Sequence, residues 1–257
     1  MGWTAPPHWR AIDFISDLHL HAGLLHTTAA WTHFLQHSRA DAICMLGDVF
    51  EAWIGDDSRH LPFERALVDA IRAGAQTHAI AFMPGNRDFL AGAALCADAG
   101  MRLLEDPTCL HAWGRRWLLA HGDAQCLDDV RYQAFRAQVR APQWQQAFLA
   151  KPLAERSAIA QAMRTESRRQ QGLHEGMAAD LDAEACRALL RAGGATTLLH
   201  GHTHRPGGHD LGGGLRREVL SDWDLDDGAA PRAEVLRLHA DGRLQRLSPE
   251  QACSGSN

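Results

Sequence analysis

Five short polar clusters carry most of the chemistry visible in the chain: Asp17-Leu18-His19, Gly47-Asp48, Gly85-Asn86-Arg87-Asp88, His121-Gly122-Asp123 and Gly201-His202-Thr203-His204. The patterns D-x-H and H-x-H put two side chains of alternate positions on one side of an extended backbone. Imidazole with carboxylate suits borderline divalent ions such as manganese, iron or zinc, and the absence of cysteine from these clusters argues against a structural zinc site. Asp17, His19, Asp48, Asn86, His121, His202 and His204 are seven candidate ligands, too many for one ion. With Asp48 bridging, they divide between two ions, an arrangement suited to in-line displacement at phosphorus. Taken singly, D-x-H and Gly-Asp are ordinary turn chemistry, and His121 alone reads as a core or loop histidine. What carries the argument is the set: five fragments in order, each in the same local context.

That context is a short apolar run immediately upstream. The runs "AIDFIS" (11–16), "DAICML" (41–46), "THAIAFM" (77–83), "RWLLAH" (116–121) and "TTLLH" (196–200) read as buried strands. Between the first three lie helical patterns at 27–37 and 62–74, the second closing on a helix-stopping Gly74. Strand alternating with helix predicts a parallel-type sheet with helices on its faces, and ligands gather at the carboxyl ends of such strands. Further strands are expected at 217–223 and 233–247, the latter a hairpin turning at Asp241-Gly242. From about 128 to 192 the pattern is helix only, with Tyr132, Phe135, Val139, Trp144 and Phe148 forming an apolar stripe and a further helix from Pro152 to about Arg169. The terminal "ACSGSN" is expected to fray.

A chain of 257 residues with 46% hydrophobic content accommodates one large domain, or a domain with a sizeable insertion. The net charge of −5 argues against whole-protein attraction to nucleic acid. Six scattered cysteines suggest reduced thiols in a cytosol-like compartment rather than a disulfide framework. The first residues lack the apolar core of a signal peptide, and no run reaches transmembrane length, so a soluble protein, or one attached at most to a membrane surface, is expected. Charge is unevenly spread: eight basic and two acidic residues within 131–169 make that piece +6 against −11 for the rest. It reads either as a solvated helical face or as a surface that meets an anion or an anionic membrane.

In this order, D-x-H, GD, GN, HGD and GHTH resemble the motifs of the calcineurin-like metallophosphoesterase superfamily. Most of that superfamily has GNH where this chain has Gly85-Asn86-Arg87. That departure, with "GDVFEAWIGDD" (47–57), "GNRDFL" (85–90), "HGDAQCLDD" (121–129), "YQAFR" (132–136) and "HGHTHRP" (200–206), closely resembles the UDP-2,3-diacylglucosamine pyrophosphatase family of lipid A biosynthesis, from about residue 11 to 247. The resemblance implies an α/β (α+β) fold: a β-sandwich flanked by helices, its core at 1–124 and 193–257, with an inserted helical cap at 125–192.

The resemblance further implies two divalent ions, manganese in the family. Asp17, His19, Asp48 and His204 would hold one, and Asp48, Asn86, His121 and His202 the other. Water activated there would attack the α-phosphorus of UDP-2,3-diacylglucosamine, giving UMP and 2,3-diacylglucosamine 1-phosphate. Arg87, Asn86 and His121 are the expected catalytic residues, Arg87 gripping a phosphate oxygen rather than pairing with Asp88. Asp88 and Asp123 are expected to orient ligand histidines. Substrate contacts are expected from Asn86, Arg87, Asp129, Tyr132, Ser167, Gln171, His174 and His202, with Gln171 standing in place of the family's Asn and His174 in place of its Lys. The implied partner is a glycolipid nucleotide met by a monomer at the cytoplasmic face of the bacterial inner membrane. A metallophosphoesterase for a soluble nucleotide or phosphomonoester is the alternative, disfavoured by the cap and by GNRD. A nuclease is disfavoured by charge, and a non-catalytic scaffold by the full set of ligands. The segment "SDWDLDD" (221–227) matches no metal ligand.

Overall fold

Strand side chains alternate between two apolar environments, and in the computed structural model, which describes residues 2–173 and 180–254, they build two six-stranded sheets. One sheet runs β12 (Leu244–Leu247), β11 (Val235–His239), β2 (Ala11–Ile15), β3 (Ala42–Leu46), β4 (Ala79–Met83), β5 (Met101–Leu103). The other runs β1 (Gly2–Thr4), β6 (Thr108–Ala112), β7 (Arg115–Leu119), β8 (Thr197–His200), β10 (Leu215–Val219), β9 (Gly207–Gly212). Pairs β2–β3, β3–β4, β7–β8 and β8–β10 are parallel, so the strands that precede the polar clusters all end at the same rim. The expected hairpin is the antiparallel pair β11–β12.

Ile12, Phe14, Cys44, Leu46 and Met83 face inward and meet Leu110, Trp117, Leu119, Leu199 and Leu220 of the second sheet. The alternate residues Ile15, Ile43, Met45 and Phe82 face outward against helices α1 (Leu25–His37), α2 (Pro62–Gly74) and α3 (Ala93–Ala99), which contribute Trp31, Phe34, Leu67, Val68, Ile71 and Leu95. Burying each large side chain contributes about 1.5–3 kcal/mol, so a one-residue register slip would be heavily penalised and the rim is fixed. Gly74 closes α2 for a reason other than a left-handed turn: a Cβ there would stand 2.7 Å from the main-chain oxygen of Leu35. The smaller residue lets α2 lie against α1.

Between β7 and β8 the chain forms α4 (Val130–Arg140), α5 (Pro142–Leu149), α6 (Leu153–Leu173) and α7 (Ala183–Gly193). The last of these, read from sequence as part of the cap, packs on the outer face of the second sheet. Cys186 and Leu190 lie one turn apart and meet Leu118 and Leu198. Near the C-terminus, Pro249–Cys253 forms a helix, α8, which holds Ala252 and Cys253 of the stretch expected to fray, while residues 255–257 lie outside the described residues. Ser248 and Gln251 make a reciprocal capping box, and Ala252 is fully buried. No helix among the described residues is long and apolar enough to cross a membrane.

Candidate metal centre

The loops after β2 and β3 interlock at the rim. Asp17 N–H donates to Gly47 O at 3.0 Å and His19 N–H to Asp48 O at 2.9 Å. Six non-glycine residues among those described have positive φ, and five are candidate ligands: Asp17 (56°), His19 (49°), Asp48 (54°), His202 (70°) and His204 (52°). Left-handed backbone at a residue with a Cβ costs roughly 1–2 kcal/mol, so this strain is concentrated where side chains must turn toward one point. Gly85 allows the third loop to come close, since a Cβ would stand 2.2 Å from Asp48 Oδ1 and 2.8 Å from His121 Cε1.

Two sets of ligand atoms result, each within 4.8 Å: Asp17, His19 and His204, and Asp17, Asp48 and His121. Nε2 of His19 lies 3.3 Å from Nε2 of His204, which in turn is 3.5 Å from Asp17 Oδ1. On the other side, His121 Nε2 lies 2.8 Å from Asn86 Oδ1 and 3.6 Å from Asp48 Oδ1. Asp48 faces both sets, its second oxygen 4.0 Å from His19 Nδ1. Asp17 is common to both clusters, and Asp48, expected from the sequence to bridge, faces His121 with one oxygen and His19 with the other. His202 is outside both clusters. Its N–H donates to Asp17 Oδ2 at 2.9 Å, and its ring stands edge-on to His121 with centroids 5.2 Å apart.

Electrostatics asks for positive charge here. Burial raises Asp48, and the nearby carboxylates of Asp88 and Asp17 add to it against the opposing His121. Burial would also raise Asp17, but His204, His121 and His19 together hold it below the carboxylate range. Burial pushes His19 down to about 3 and His202 down to about 4, leaving neutral imidazoles with lone pairs to offer. His121 goes the other way: burial opposes its charge, but Asp48, Asp17 and Asp123 outweigh it. His121 Nδ1 donates to Leu46 O at 2.9 Å, so its Nε2 is the atom left to face Asn86 Oδ1 and Asp48. Asp17 Oδ1 is buried with no hydrogen-bond partner. A buried carboxylate oxygen without a partner, beside neutral imidazoles that offer lone pairs, fits a divalent cation.

Behind the ligand atoms stand partners that sequence assigned differently. Asp88 braces no histidine; it accepts main-chain N–H groups from Gly85 (2.6 Å), Val49 (2.8 Å), Asp48 (3.2 Å) and Phe50 (3.4 Å). Asp123 likewise contacts no ring nitrogen and instead accepts from Tyr132 Oη at 2.5 Å and Arg136 Nε at 2.9 Å. The carboxylates that do face histidines are Asp222, 3.5 Å from His204 Nδ1, and Glu51, 3.5 Å from His19 Nδ1. Asp222 lies in the segment that offered no recognisable motif, although its place just after a strand was the available signal.

Of the residues expected to touch substrate, Tyr132 lies beside the centre, its ring centroid 5.9 Å from that of His202. Asp129 caps α4 by accepting from Tyr132 N–H at 2.9 Å. Arg87 uses its main chain to hold the loop, donating to Asp48 Oδ1 at 2.8 Å and accepting from Trp53 N–H at 3.0 Å, while its Nε is buried without a hydrogen-bond partner. Ser167 and Gln171 fall on the last turns of α6, where side chains are not described, and His174 lies outside the described residues. Among the described residues, four basic side chains of the stretch turn inward. Arg136 reaches Asp123, Arg140 reaches Gly85 O, Arg156 reaches Ile54 O and Asp57, and Arg164 reaches Glu51.

The calcineurin-like phosphoesterase family model matches residues 11–206, a span that holds all seven candidate ligands. A Chromobacterium violaceum protein named UDP-2,3-diacylglucosamine hydrolase is 48% identical over 236 residues, covering 85% of this chain and 96% of its own length. A protein of the same name from Xanthomonas campestris pv. campestris is 44% identical over 250 residues, covering 91% and 98%. One from Coxiella burnetii is 40% identical over 237 residues, covering 90% and 95%. Sharing that extent of sequence, and with its strand ends arranged around one polar centre, the chain belongs to the calcineurin-like phosphoesterase family.

Proposed function

We propose that this chain hydrolyses the pyrophosphate bond of UDP-2,3-diacylglucosamine at the α-phosphorus, releasing UMP and 2,3-diacylglucosamine 1-phosphate in lipid A biosynthesis. The observation that supports this reading is that the Arg87 loop bonds the Asp48 carboxylate and meets the inserted helices through Arg140 and Trp144, in a chain 48% identical to a protein of that name. Asp17, His19, Asp48 and His204 would hold one divalent ion, and Asp48, Asn86, His121 and His202 the other. When bound, two such ions, manganese in this reading, lower the pKa of water and screen the phosphoryl oxygens.

The chain's own residues do the rest. The Arg87 guanidinium, freed by a backbone that already makes the loop's bonds, grips a phosphate oxygen and stays charged throughout. Asn86 and His121 fix the phosphate from the opposite side. The hydroxyl of Tyr132 is held by Asp123, which sets its ring against His202 as a wall of the pocket. Asp129, Ser167, Gln171 and His174 receive the sugar and its phosphate. Helices α4–α6 form the cap, and its exposed apolar residues Leu127, Val130, Phe135, Leu149 and Met163 suit acyl chains and a peripheral position at the cytoplasmic face of the inner membrane. The protein works as a monomer.

Hydrolysis of UDP-2,3-diacylglucosamine in ¹⁸O-labelled water, followed by mass spectrometry, tests this reading. Label in UMP is the expected result. Label in the glucosamine 1-phosphate, or rapid turnover of simple phosphomonoesters with no UMP formed, would overturn it.

A further inference from the structure

Glu51 is only 8% exposed, and a buried carboxylate persists where both its oxygens find positive or donor partners. Its two oxygens have different partners. Oε1 pairs with the guanidinium of Arg164 on α6, and Oε2 lies 3.5 Å from Nδ1 of His19. The other nitrogen of the same ring, Nε2, is the one that faces His204. A carboxylate behind a ligand histidine sets the ring's tautomer and orientation and makes the ligating nitrogen more basic. Three side chains therefore form a chain of contacts from the inserted helices to the candidate metal centre: Arg164, Glu51, His19.

Eight residues earlier on α6, Arg156 makes a second attachment to the same stretch of core through Ile54 O and Asp57. The two arginines lie about two turns apart on one helical face, so α6 grips the 51–57 segment at two points. Of these two attachments, it is that of Arg164 that leads to a candidate ligand, His19.

We infer that Glu51 is a positioning residue for His19 and that Arg164 couples the seating of α6 to divalent-ion affinity. This rests on the metal-centre reading above. If ion binding fixes His19 and thereby Glu51, α6 is held more firmly; by reciprocity, loosening Arg164 weakens the ion.

The test uses full-length protein stripped with EDTA and titrated with Mn²⁺ against a competing chelator. Glu51→Gln is expected to weaken binding about 10–100-fold, as partners of metal ligands do. Arg164→Ala is expected to weaken it about 3–10-fold, within the range for coupling through an intermediate side chain. Arg164→Lys should recover part of the loss. The double variant should bind no more weakly than Glu51→Gln alone, because the two act in series. Asp57→Asn, which loosens the other attachment, should stay within about twofold of wild type. Mn²⁺ should also slow amide exchange along α6 in wild type, and not in Glu51→Gln. Wild-type affinity in Arg164→Ala, additive losses in the double variant, or an equal loss in Asp57→Asn would overturn the coupling. A wild-type chain that takes up no Mn²⁺ would overturn the metal-centre reading and the coupling together.

Discussion

The carboxylate of Asp222 stands 3.5 Å from Nδ1 of His204, and Arg232 Nε donates to the same oxygen at 2.7 Å. On the opposite side of the ring, Nε2 faces His19 and Asp17. The ring is thus held from behind by a group that is itself fixed. Asp222→Asn is expected to weaken Mn²⁺ binding about 10-fold or more, measured by chelator competition, with the fold retained. Unchanged affinity would mean that Asp222 serves only Arg232.

Asp88 is a different kind of support. Fully buried, it accepts four main-chain N–H groups from the two loops that carry Asp48 and Asn86. Asp88→Ala leaves these donors unpaired in the interior, at about 1–3 kcal/mol for each one that finds no water. A loss of about 3 kcal/mol is expected, lowering Tm by about 6–12 °C in thermal unfolding. Asp88→Asn should lose less, because one oxygen remains to accept.

Arg87 separates main-chain from side-chain duties. Its N–H and C=O hold the loop whatever the side chain is. Arg87→Ala is therefore expected to cut turnover about 100-fold or more while metal content per chain stays the same. Loss of the metal together with turnover would contradict the role assigned to the guanidinium.

A pH effect follows from Asp180, which Arg217 grips with both terminal nitrogens at 2.8 and 2.6 Å. That bonding, against some opposition from burial, brings the carboxyl down to about 2. The folded state therefore binds its proton less readily than the unfolded chain, and the stabilisation is present above about pH 4 and lost between about pH 4 and 2. Because Asp180 is partly exposed, about 1 kcal/mol is expected. The difference in stability between wild type and Asp180→Asn should shrink across that interval.

The candidate ligand positions were legible because each follows a strand whose apolar run is unmistakable, and the rim is where such strands release their side chains. Asp17, His19, Asp48, Asn86, His121, His202 and His204 all stand there. What lay beyond sequence was direction. A carboxylate accepts equally from an imidazole or a peptide N–H, so nothing in "GNRDF" tells that Asp88 turns toward backbone, or in "HGD" that Asp123 turns toward Tyr132 and Arg136. The strands β1 and β5, three residues each, exist only through pairing with distant partners. The basic charge of 131–169 was visible, but that Arg136, Arg140, Arg156 and Arg164 spend it on the core depends on how the helices fold back.

The measurement closest to the central claim is a titration of EDTA-stripped protein with Mn²⁺, following bound metal per chain and UMP released from UDP-2,3-diacylglucosamine in the same samples. UMP release that rises only as occupancy approaches two ions per chain is the predicted result. Full release from the stripped protein, or at a single ion with no further gain, would contradict the account.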